Sequence, residues 1–227
     1  MAMSHKKNDV VWLFAKERPG LSAVRSFLIE NFTHVNFFVG TTEDPFPTIT
    51  SEMGRADLSI SYISPWIIPE RILRTTGKFA INFHPGPPEY PGIGCTNFAI
   101  YNGEGQFGVT AHHMNPKVDT GKIITVSRFP ISNEDSVYSV TEKSYHHLLE
   151  LFYNVMNYYL KNNKLSQSDE QWKKKPYTRK ELNDLCRITA SMSAEEIQKR
   201  IKATTFPCMP GAYIEISGKQ FPYKFQK

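Results

Sequence analysis

The chain has 227 residues, of which 40% are hydrophobic and 22% charged, and this composition predicts a globular protein rather than a disordered one. Its net charge of +5 is mild and suits a polyanionic small molecule such as a nucleotide as well as it suits nucleic acid. Three cysteines without CxxC spacing, Cys95, Cys186 and Cys208, argue for a reducing compartment and against a zinc-thiolate site. No segment approaches the roughly 20 apolar residues of a membrane span, and MAMSHKKND has no apolar signal core, so we expect a cytoplasmic protein.

The first half of the chain alternates predicted strands with predicted helices. VVWLF near the start is a continuous apolar run, which is typical of a strand covered on both faces. Helices are predicted to begin near Leu21 and at Pro69. The predicted strands cover residues 10–14, 34–40, 56–63 and the segment FAINFH that ends at His84. This order predicts a Rossmann-like α/β fold with a doubly wound, mostly parallel sheet, in which ligands bind beyond the carboxyl ends of the strands.

The second half of the chain predicts further strands, a long helix and a separate tail. CTNFAIYNGE predicts a helix, and QFGVTAHHM and GKIITVSRFPI predict two strands joined by NPKVDTG. The longest helical pattern runs from Glu134 to Lys161. The chain becomes basic and polar after Ser168, so we place a boundary near residue 170 between a main domain (1–170) and a small C-terminal extension (171–227). Ser193 with Glu196 predicts a capped helix in this extension, and SGK predicts the turn of a short β-hairpin.

Four polar residues stand at or near predicted strand ends. Asn82 and His84 end the fourth strand, His112 lies on the next strand, and Asp119 lies in the loop that follows it. A His that takes up a proton, an Asp that orients this His, and an amide that binds an oxyanion together suit group transfer at a carbonyl. Because the chain has no GxSxG motif, the attacking group would come from a second substrate rather than from the enzyme.

The same residues allow two other interpretations. A His at a strand end often has only a structural hydrogen bond, and His84, His112 and Asp119 could instead form the two-His, one-carboxylate triad of an iron enzyme. The chain has neither GxGxxG nor GxxxxGK[ST], so a dinucleotide cofactor held in the usual way is not expected.

The segments INFHPGPPEYPG and GVTAHHMNPKVDTGKII resemble the family of formyltransferases that use 10-formyltetrahydrofolate. The signature of that family is an Asn-x-His-Pro strand end, a proline-rich loop, a G-V/T-T-x-H strand and a D-T-G loop. The resemblance implies a catalytic trio of Asn82, His84 and Asp119. It implies that Asn82 holds the formyl oxygen, that His84 accepts the proton of the attacking amine, and that Asp119 positions His84. His112 would support Asp119 or a water molecule.

The resemblance also implies a binding site for the folate donor, with no metal. In the family, the pterin ring lies between a segment that precedes the catalytic strand and the loop around the Asp. The corresponding segments here are SPWII and KVD. Trp66 could equally be a core residue. The implied folate contacts are Ser64, Trp66, Ile67, Ile68, Lys117, Val118 and Asp119.

Three further features bear on the amine that accepts the formyl group. AKERPG stands where the purine-pathway member has a Gly-rich loop, which disfavours glycinamide ribonucleotide, and the short segment after residue 170 disfavours methionyl-tRNA. The tail RIKATTFPCMPGAYIEISGK resembles the C-terminal part of sugar N-formyltransferases. The resemblance therefore implies a nucleotide-linked amino sugar such as dTDP-4-amino-4,6-dideoxyglucose, used in bacterial surface polysaccharide (O-antigen). The candidate substrate contacts are Tyr90, His112, Lys16 and Arg18, the last two at the phosphates.

Other functions stay open at this point. A formyltetrahydrofolate hydrolase would need the same trio without an amine site. A nucleic-acid-binding protein could use the basic tail, although neither a nucleic acid nor a membrane is the expected partner. The apolar tail hairpin could form a homodimer contact.

Overall fold

A computed structural model describes residues 6–207 and 209–223, and Cys208 lies outside this described part. Six strands form the main sheet: β1 Lys7–Ala15, β2 Phe32–Val39, β3 Leu58–Tyr62, β4 Phe79–His84, β5 Gln106–His113 and β6 Ile123–Pro130. Their order is β2-β1-β3-β4-β5-β6. The first four strands are parallel, whereas β5 and β6 are antiparallel to their neighbours. The predicted α/β fold with a mostly parallel sheet is confirmed.

Six α-helices pack with two sheets in the described part of the chain. They are α1 Leu21–Asn31, α2 Glu70–Thr75, α3 Cys95–Asn102, α4 Val137–Asn162, α5 Arg179–Cys186 and α6 Ala194–Thr204, with a 3₁₀ turn at Ser51–Met53. The predicted long helix is α4, and it begins three residues later than expected because Ser136 caps it. The Ser136 hydroxyl accepts from the Ser139 N–H, and the Ser139 hydroxyl accepts from the Ser136 N–H.

The main sheet is covered on both faces, as the apolar run in β1 predicts. Val11 and Leu13 point to one face, where they pack with residues of α1 and α4. Trp12 and Phe14 point to the other face, where they pack with Phe38 and a smaller cluster. Because successive side chains of a strand alternate, both faces of β1 can be apolar only when both are buried.

The C-terminal residues form a second, smaller sheet. Strands β7 Arg187–Ile188, β8 Tyr213–Ile216 and β9 Lys219–Pro222 lie in the order β7-β8-β9. The predicted hairpin is β8–β9, and its turn residues Ser217 and Gly218 both have positive φ, as a tight two-residue hairpin turn requires. Helix α6 packs on α3, and Tyr101 donates to Glu196 at 2.9 Å. The described part of the chain contains no helix long and apolar enough to cross a membrane.

Candidate active site

The end of β4 and its antiparallel neighbour β5 place three polar side chains together. Asn82 and His84 are two residues apart, so they point to the same face of the sheet. Asn82 is paired in register with His112, and His84 with Thr110. The loop between β5 and β6 then returns the chain to this edge and brings Asp119 into the same cluster.

Asp119 is the centre of this cluster, and its side chain is only 5% exposed. Its Oδ2 atom accepts from the Gly92 N–H at 2.8 Å and lies 3.3 Å from Nδ1 of His84. Its Oδ1 atom accepts from Nδ2 of Asn82 at 3.2 Å and lies 3.2 Å from Nε2 of His112. Asp119 has a φ of 45°, a left-handed conformation that Asp tolerates better than most residues. The carboxylate is thus held from four directions.

The electrostatics of the cluster keep Asp119 ionised. Burial alone would raise the pKa of this carboxyl group. The charge of His84, the hydrogen bond and charge of His112, and the Gly92 N–H outweigh burial and hold the pKa of Asp119 well below its usual range. The site therefore contains a fixed negative charge next to the His84 imidazole at neutral pH.

The hydrogen-bond partners restrict the tautomers of each imidazole. Nδ1 of His112 lies 2.9 Å from the His113 carbonyl oxygen, which can only accept, so Nδ1 carries a proton. Nε2 of His112 lies 3.0 Å from Nδ2 of Asn82 and 3.2 Å from Oδ1 of Asp119, so it accepts from Asn82 in the neutral ring and donates to Asp119 in the protonated ring. Nε2 of His84 lies 3.1 Å from the Tyr90 carbonyl oxygen, while Nδ1 faces Asp119. Because both partners of His84 only accept, the protonated ring satisfies both contacts and the neutral ring satisfies one.

A cavity of about 400 Å³ opens beside this cluster. Asn82 and His84 line it, together with the segment 64–68 and the loop residues Lys117, Val118 and Asp119. All residues that the sequence predicts as folate contacts line this cavity: Ser64, Trp66, Ile67, Ile68, Lys117, Val118 and Asp119.

Trp66 is both a wall of the cavity and a packing residue. Its indole N–H donates to the Asp44 carbonyl oxygen at 2.9 Å, and its ring packs edge-on against Phe46. These contacts fix the ring orientation at the cavity wall, so the two interpretations of Trp66 are compatible.

A second cavity of about 840 Å³ adjoins the first. The two share the lining residues Pro85, Gly94 and Cys95, so they meet next to His84. Arg18 and Arg179 line the second cavity together with the starts of α3 and α4. The Cys95 thiol donates to the Pro85 carbonyl oxygen, and burial raises its pKa to about 12, so this thiol is a neutral wall rather than a nucleophile.

Two of the predicted substrate contacts do not fit the structure. Tyr90 is only 2% exposed, its hydroxyl donates to Glu104, and its ring stacks on Tyr177, so the side chain points away from both cavities. Tyr90 instead contributes its carbonyl oxygen to His84. Lys16 lines neither cavity, and burial next to Arg18 lowers its pKa. Arg18 and His112 do lie at the cavities, one in each.

Two residues at the site carry no motif signal. Arg179 opens α5 within a basic stretch that resembles a solvated surface segment, and Trp172 lies in the same stretch. Trp172 packs against both imidazoles, with ring centroids 5.0 Å from His112 and 5.9 Å from His84. Its ring and that of Tyr177, which stacks on Phe98, are the aromatic features of this charged segment that could have indicated packing contacts. Among residues 6–207 and 209–223 no group of three or more His, Cys, Asp or Glu is arranged to hold a metal ion.

Comparison with known families finds a match over the middle of the chain. Residues 51–156 match the family described as Formyl transferase, and they include β3 to β6 and the whole Asn82–His84–Asp119 cluster. This part of the chain is thus similar to the formyltransferase family, as its motifs predict.

Two characterised relatives show the range of similar proteins. The GDP-perosamine N-formyltransferase of Brucella melitensis is 29% identical over 73% of this chain and 63% of its own length. The methionyl-tRNA formyltransferase of Pseudoalteromonas translucida is 30% identical over 78% of this chain and 54% of its own length. The chain therefore spans less than two thirds of the length of these relatives.

Solved structures extend the similarity in fold over nearly the whole chain. A 4-N formyltransferase from Francisella tularensis superimposes with a TM-score of 0.76, 18% identity, and coverage of 96% of this chain and 97% of that one. An N-formyltransferase from Helicobacter canadensis, in complex with folinic acid and dTDP-3-aminofucose, has a TM-score of 0.70 and 18% identity, with coverage of 93% and 86%. The fold, including the C-terminal extension, is that of these enzymes.

Proposed function

We propose that this chain transfers a formyl group from 10-formyltetrahydrofolate to the amine of a nucleotide-linked amino sugar. The observation that supports this most directly is the meeting of two cavities beside the Asn82–His84–Asp119 cluster. A transfer between two large substrates needs two binding sites that open onto one set of polar groups. The match of residues 51–156 to the formyltransferase family supports the same chemistry.

The cluster can supply the groups that formyl transfer needs. His84 accepts a proton from the amine at Nε2, which must exchange the Tyr90 carbonyl oxygen for the amine, as the amine attacks the formyl carbon. Asp119, next to Nδ1, stabilises the positive charge that develops on His84. Asn82 donates to the formyl oxygen as this oxygen becomes negative. The bond from the formyl carbon to the folate nitrogen then breaks, and that nitrogen takes up the proton. The products are tetrahydrofolate and the N-formyl sugar.

The hydrogen bonds of Asn82 set one requirement on this mechanism. In the structure its amide nitrogen donates to Asp119 and lies 3.0 Å from Nε2 of His112, so both of its hydrogens have partners when the His112 ring is neutral. Binding of the donor must exchange one of these partners for the formyl oxygen. Asn82 then keeps the other partner, which orients the amide during the reaction.

We place the pterin of the donor in the 400 Å³ cavity, between the segment 64–68 and the loop at Lys117–Asp119. The main-chain N–H and C=O groups of the first segment can pair with the pterin edge, and Val118 and Trp66 provide apolar walls. The Helicobacter canadensis enzyme, crystallised with folinic acid, supports a folate donor.

We place the acceptor in the 840 Å³ cavity, with its diphosphate near Arg18 and Arg179. A guanidinium group binds phosphate through two parallel hydrogen bonds, which suits a nucleoside diphosphate. Two of the proteins named above support this class of acceptor: the Brucella melitensis relative is a GDP-perosamine N-formyltransferase, and the Helicobacter canadensis enzyme was crystallised with dTDP-3-aminofucose. We propose dTDP-4-amino-4,6-dideoxyglucose as the first acceptor to test, in the cytoplasmic synthesis of surface polysaccharide.

The main test is consumption of 10-formyltetrahydrofolate with a panel of dTDP- and GDP-linked 3-amino and 4-amino sugars. We expect Asn82→Ala and His84→Ala to fold but to lose at least ~100-fold in kcat. His146→Ala is the matched control, because His146 is exposed on α4 and lines neither cavity. Near wild-type turnover of the His84 variant would refute the proposed chemistry.

The same assay separates the rival functions. Release of formate without an added amine would indicate a hydrolase, and formylation of methionyl-tRNA would indicate the other group of relatives. Binding to nucleic acid that weakens by orders of magnitude with salt would support a nucleic-acid-binding role for the basic segment.

We also propose that the β8–β9 hairpin forms a homodimer contact. Ile214, Ile216 and Phe221 are exposed on it, and β9 is an edge strand of the described C-terminal sheet. Sedimentation should give a dimer for the wild type and a monomer for Ile216→Asp. A monomeric wild type would contradict this proposal.

A further inference from the structure

Residues 172–177, here called the strap, run across the loops that carry the site. The main-chain N–H of Lys173 donates to the Pro88 carbonyl oxygen at 3.0 Å, and that of Tyr177 donates to the Pro91 carbonyl oxygen at 2.9 Å. The Ile93 N–H donates back to the Tyr177 carbonyl oxygen at 3.0 Å. The strap is therefore bonded along the proline-rich loop that follows His84.

The strap also reaches the second loop of the site through Trp172. The indole N–H of Trp172 donates to the Gly121 carbonyl oxygen at 2.8 Å, two residues after Asp119. The indole ring is nearly perpendicular to both imidazoles, at 88° to His112 and 71° to His84. Such edge-to-face contacts favour one ring orientation over others. One side chain thus touches both imidazoles and the loop of the carboxylate.

Asp119 also connects the proline-rich loop to the loop between β5 and β6, through a partly buried hydrogen bond. Its Oδ2 atom accepts from the Gly92 N–H of the proline-rich loop, while its own loop is bonded to Trp172. A shift of either loop would change the distance from Asp119 to Nδ1 of His84, now 3.3 Å. The strap is therefore bonded to both loops whose positions determine the Asp119–His84 distance.

We propose that Trp172 is a positioning residue of this site: it holds the His84 and His112 rings and the Asp119 loop in the arrangement needed for transfer. The proposal rests on the proposed formyl transfer only for its kinetic consequence. Trp172 lines neither of the two substrate cavities, so it acts through the imidazoles rather than on a substrate.

The kinetic test compares Trp172→Ala, Trp172→Phe and the exposed strap variant Lys175→Ala. A displacement of about 1 Å in a reacting group can cost ~100-fold in rate. We expect Trp172→Ala to lower kcat by roughly 10- to 100-fold with KM for the donor within twofold. Trp172→Phe keeps a ring but lacks the N–H, so it should recover part of the loss, and Lys175→Ala should match the wild type. A higher KM with unchanged kcat would overturn the proposal.

A second measurement does not depend on activity. Proton–nitrogen NMR of the histidine rings reports the tautomer and mobility of each imidazole. In Trp172→Ala we expect the His84 and His112 signals to lose the ring-current shift and to broaden, while exposed His34 and His146 are unchanged. If the wild type transfers no formyl group, the proposed function fails and the NMR result alone decides the role of Trp172. Unchanged, sharp His84 and His112 signals in the variant would overturn that role.

Discussion

Asp119→Asn is the substitution that most directly tests the electrostatics of the cluster. Asn has nearly the same shape as Asp and tolerates the positive φ at this position, so the backbone can stay in place. The amide oxygen can face only one side of the cluster. The fixed Gly92 N–H favours placing this oxygen in the Oδ2 position, which keeps an acceptor next to His84. The variant therefore loses the charge while it keeps most of the geometry.

The magnitude follows from the distance between the two groups. Two unit charges 3.3 Å apart attract by about 5 kcal/mol at an effective dielectric constant of 20. The amide dipole retains part of this attraction, and proton transfer to His84 is incomplete in the transition state. A loss of roughly 3–4 kcal/mol remains, which corresponds to a fall in kcat of about 100- to 1000-fold.

The assay is steady-state turnover of 10-formyltetrahydrofolate and the amino sugar at pH 7.5, with thermal unfolding as the check on folding. KM for the donor should change little. Retention of more than a tenth of the wild-type kcat would refute the role given to the charge of Asp119. A second result follows from the low pKa of this group in the folded state. The ionised Asp119 carboxylate stabilises the fold above about pH 4, and this stabilisation is lost as the pH falls and the group is protonated. The difference in free energy of unfolding between Asp119→Asn and the wild type should therefore become smaller in acid.

Three other substitutions test separate parts of the structure. Gly121→Ala would place a Cβ atom 1.6 Å from a main-chain carbonyl oxygen, so we expect thermal unfolding to show a loss of ~3 kcal/mol or more, whereas Gly105→Ala, with open space, should cost under about 1 kcal/mol. Burial raises the pKa of Asp135, but Lys143 and nearby hydrogen bonds outweigh it and lower this pKa to about 2. We therefore expect Asp135→Asn to reduce the free energy of unfolding in urea by about 1 kcal/mol at pH 7. This loss should become smaller as the pH falls from 4 to 2, because the wild-type carboxylate is then protonated. An equal loss of stability at pH 7 and at pH 2 would contradict the low pKa of Asp135. Arg179→Ala should raise KM for the nucleotide sugar roughly tenfold with KM for the donor unchanged, and an unchanged acceptor KM would remove Arg179 from the phosphate site.

The core of the site could be predicted from sequence because regular strands determine where side chains point. Asn82 and His84 share a face by the two-residue period of β4, and the motif spacing indicates that Asp119 returns to them. The folate-side segments likewise follow strand ends, where the fold places ligands. Helix ends were less well predicted, since the start of α4 depends on the Ser136 cap rather than on apolar periodicity.

Residues in loops could not be placed in the same way. Tyr90 lies in the proline-rich loop, which has no period that indicates the direction of a side chain, and its ring is directed into a cluster of aromatic residues. Trp172 and Arg179 reach the site through contacts between segments far apart in the chain. The domain boundary predicted near residue 170 would separate Trp172 and Arg179 from Asn82, His84 and Asp119. This boundary stays a prediction.

The strap lies later in the sequence than the three polar residues that it contacts or borders, so it is synthesised after them. Asn82, His84 and Asp119 leave the ribosome more than fifty residues before Tyr177, whose main-chain bonds hold the proline-rich loop. A growing chain therefore carries all three groups before the strap exists. A fragment cut at residue 170 would keep every group of the trio and lack the strap, so from the proposed role of Trp172 we expect a lower kcat although the trio is intact.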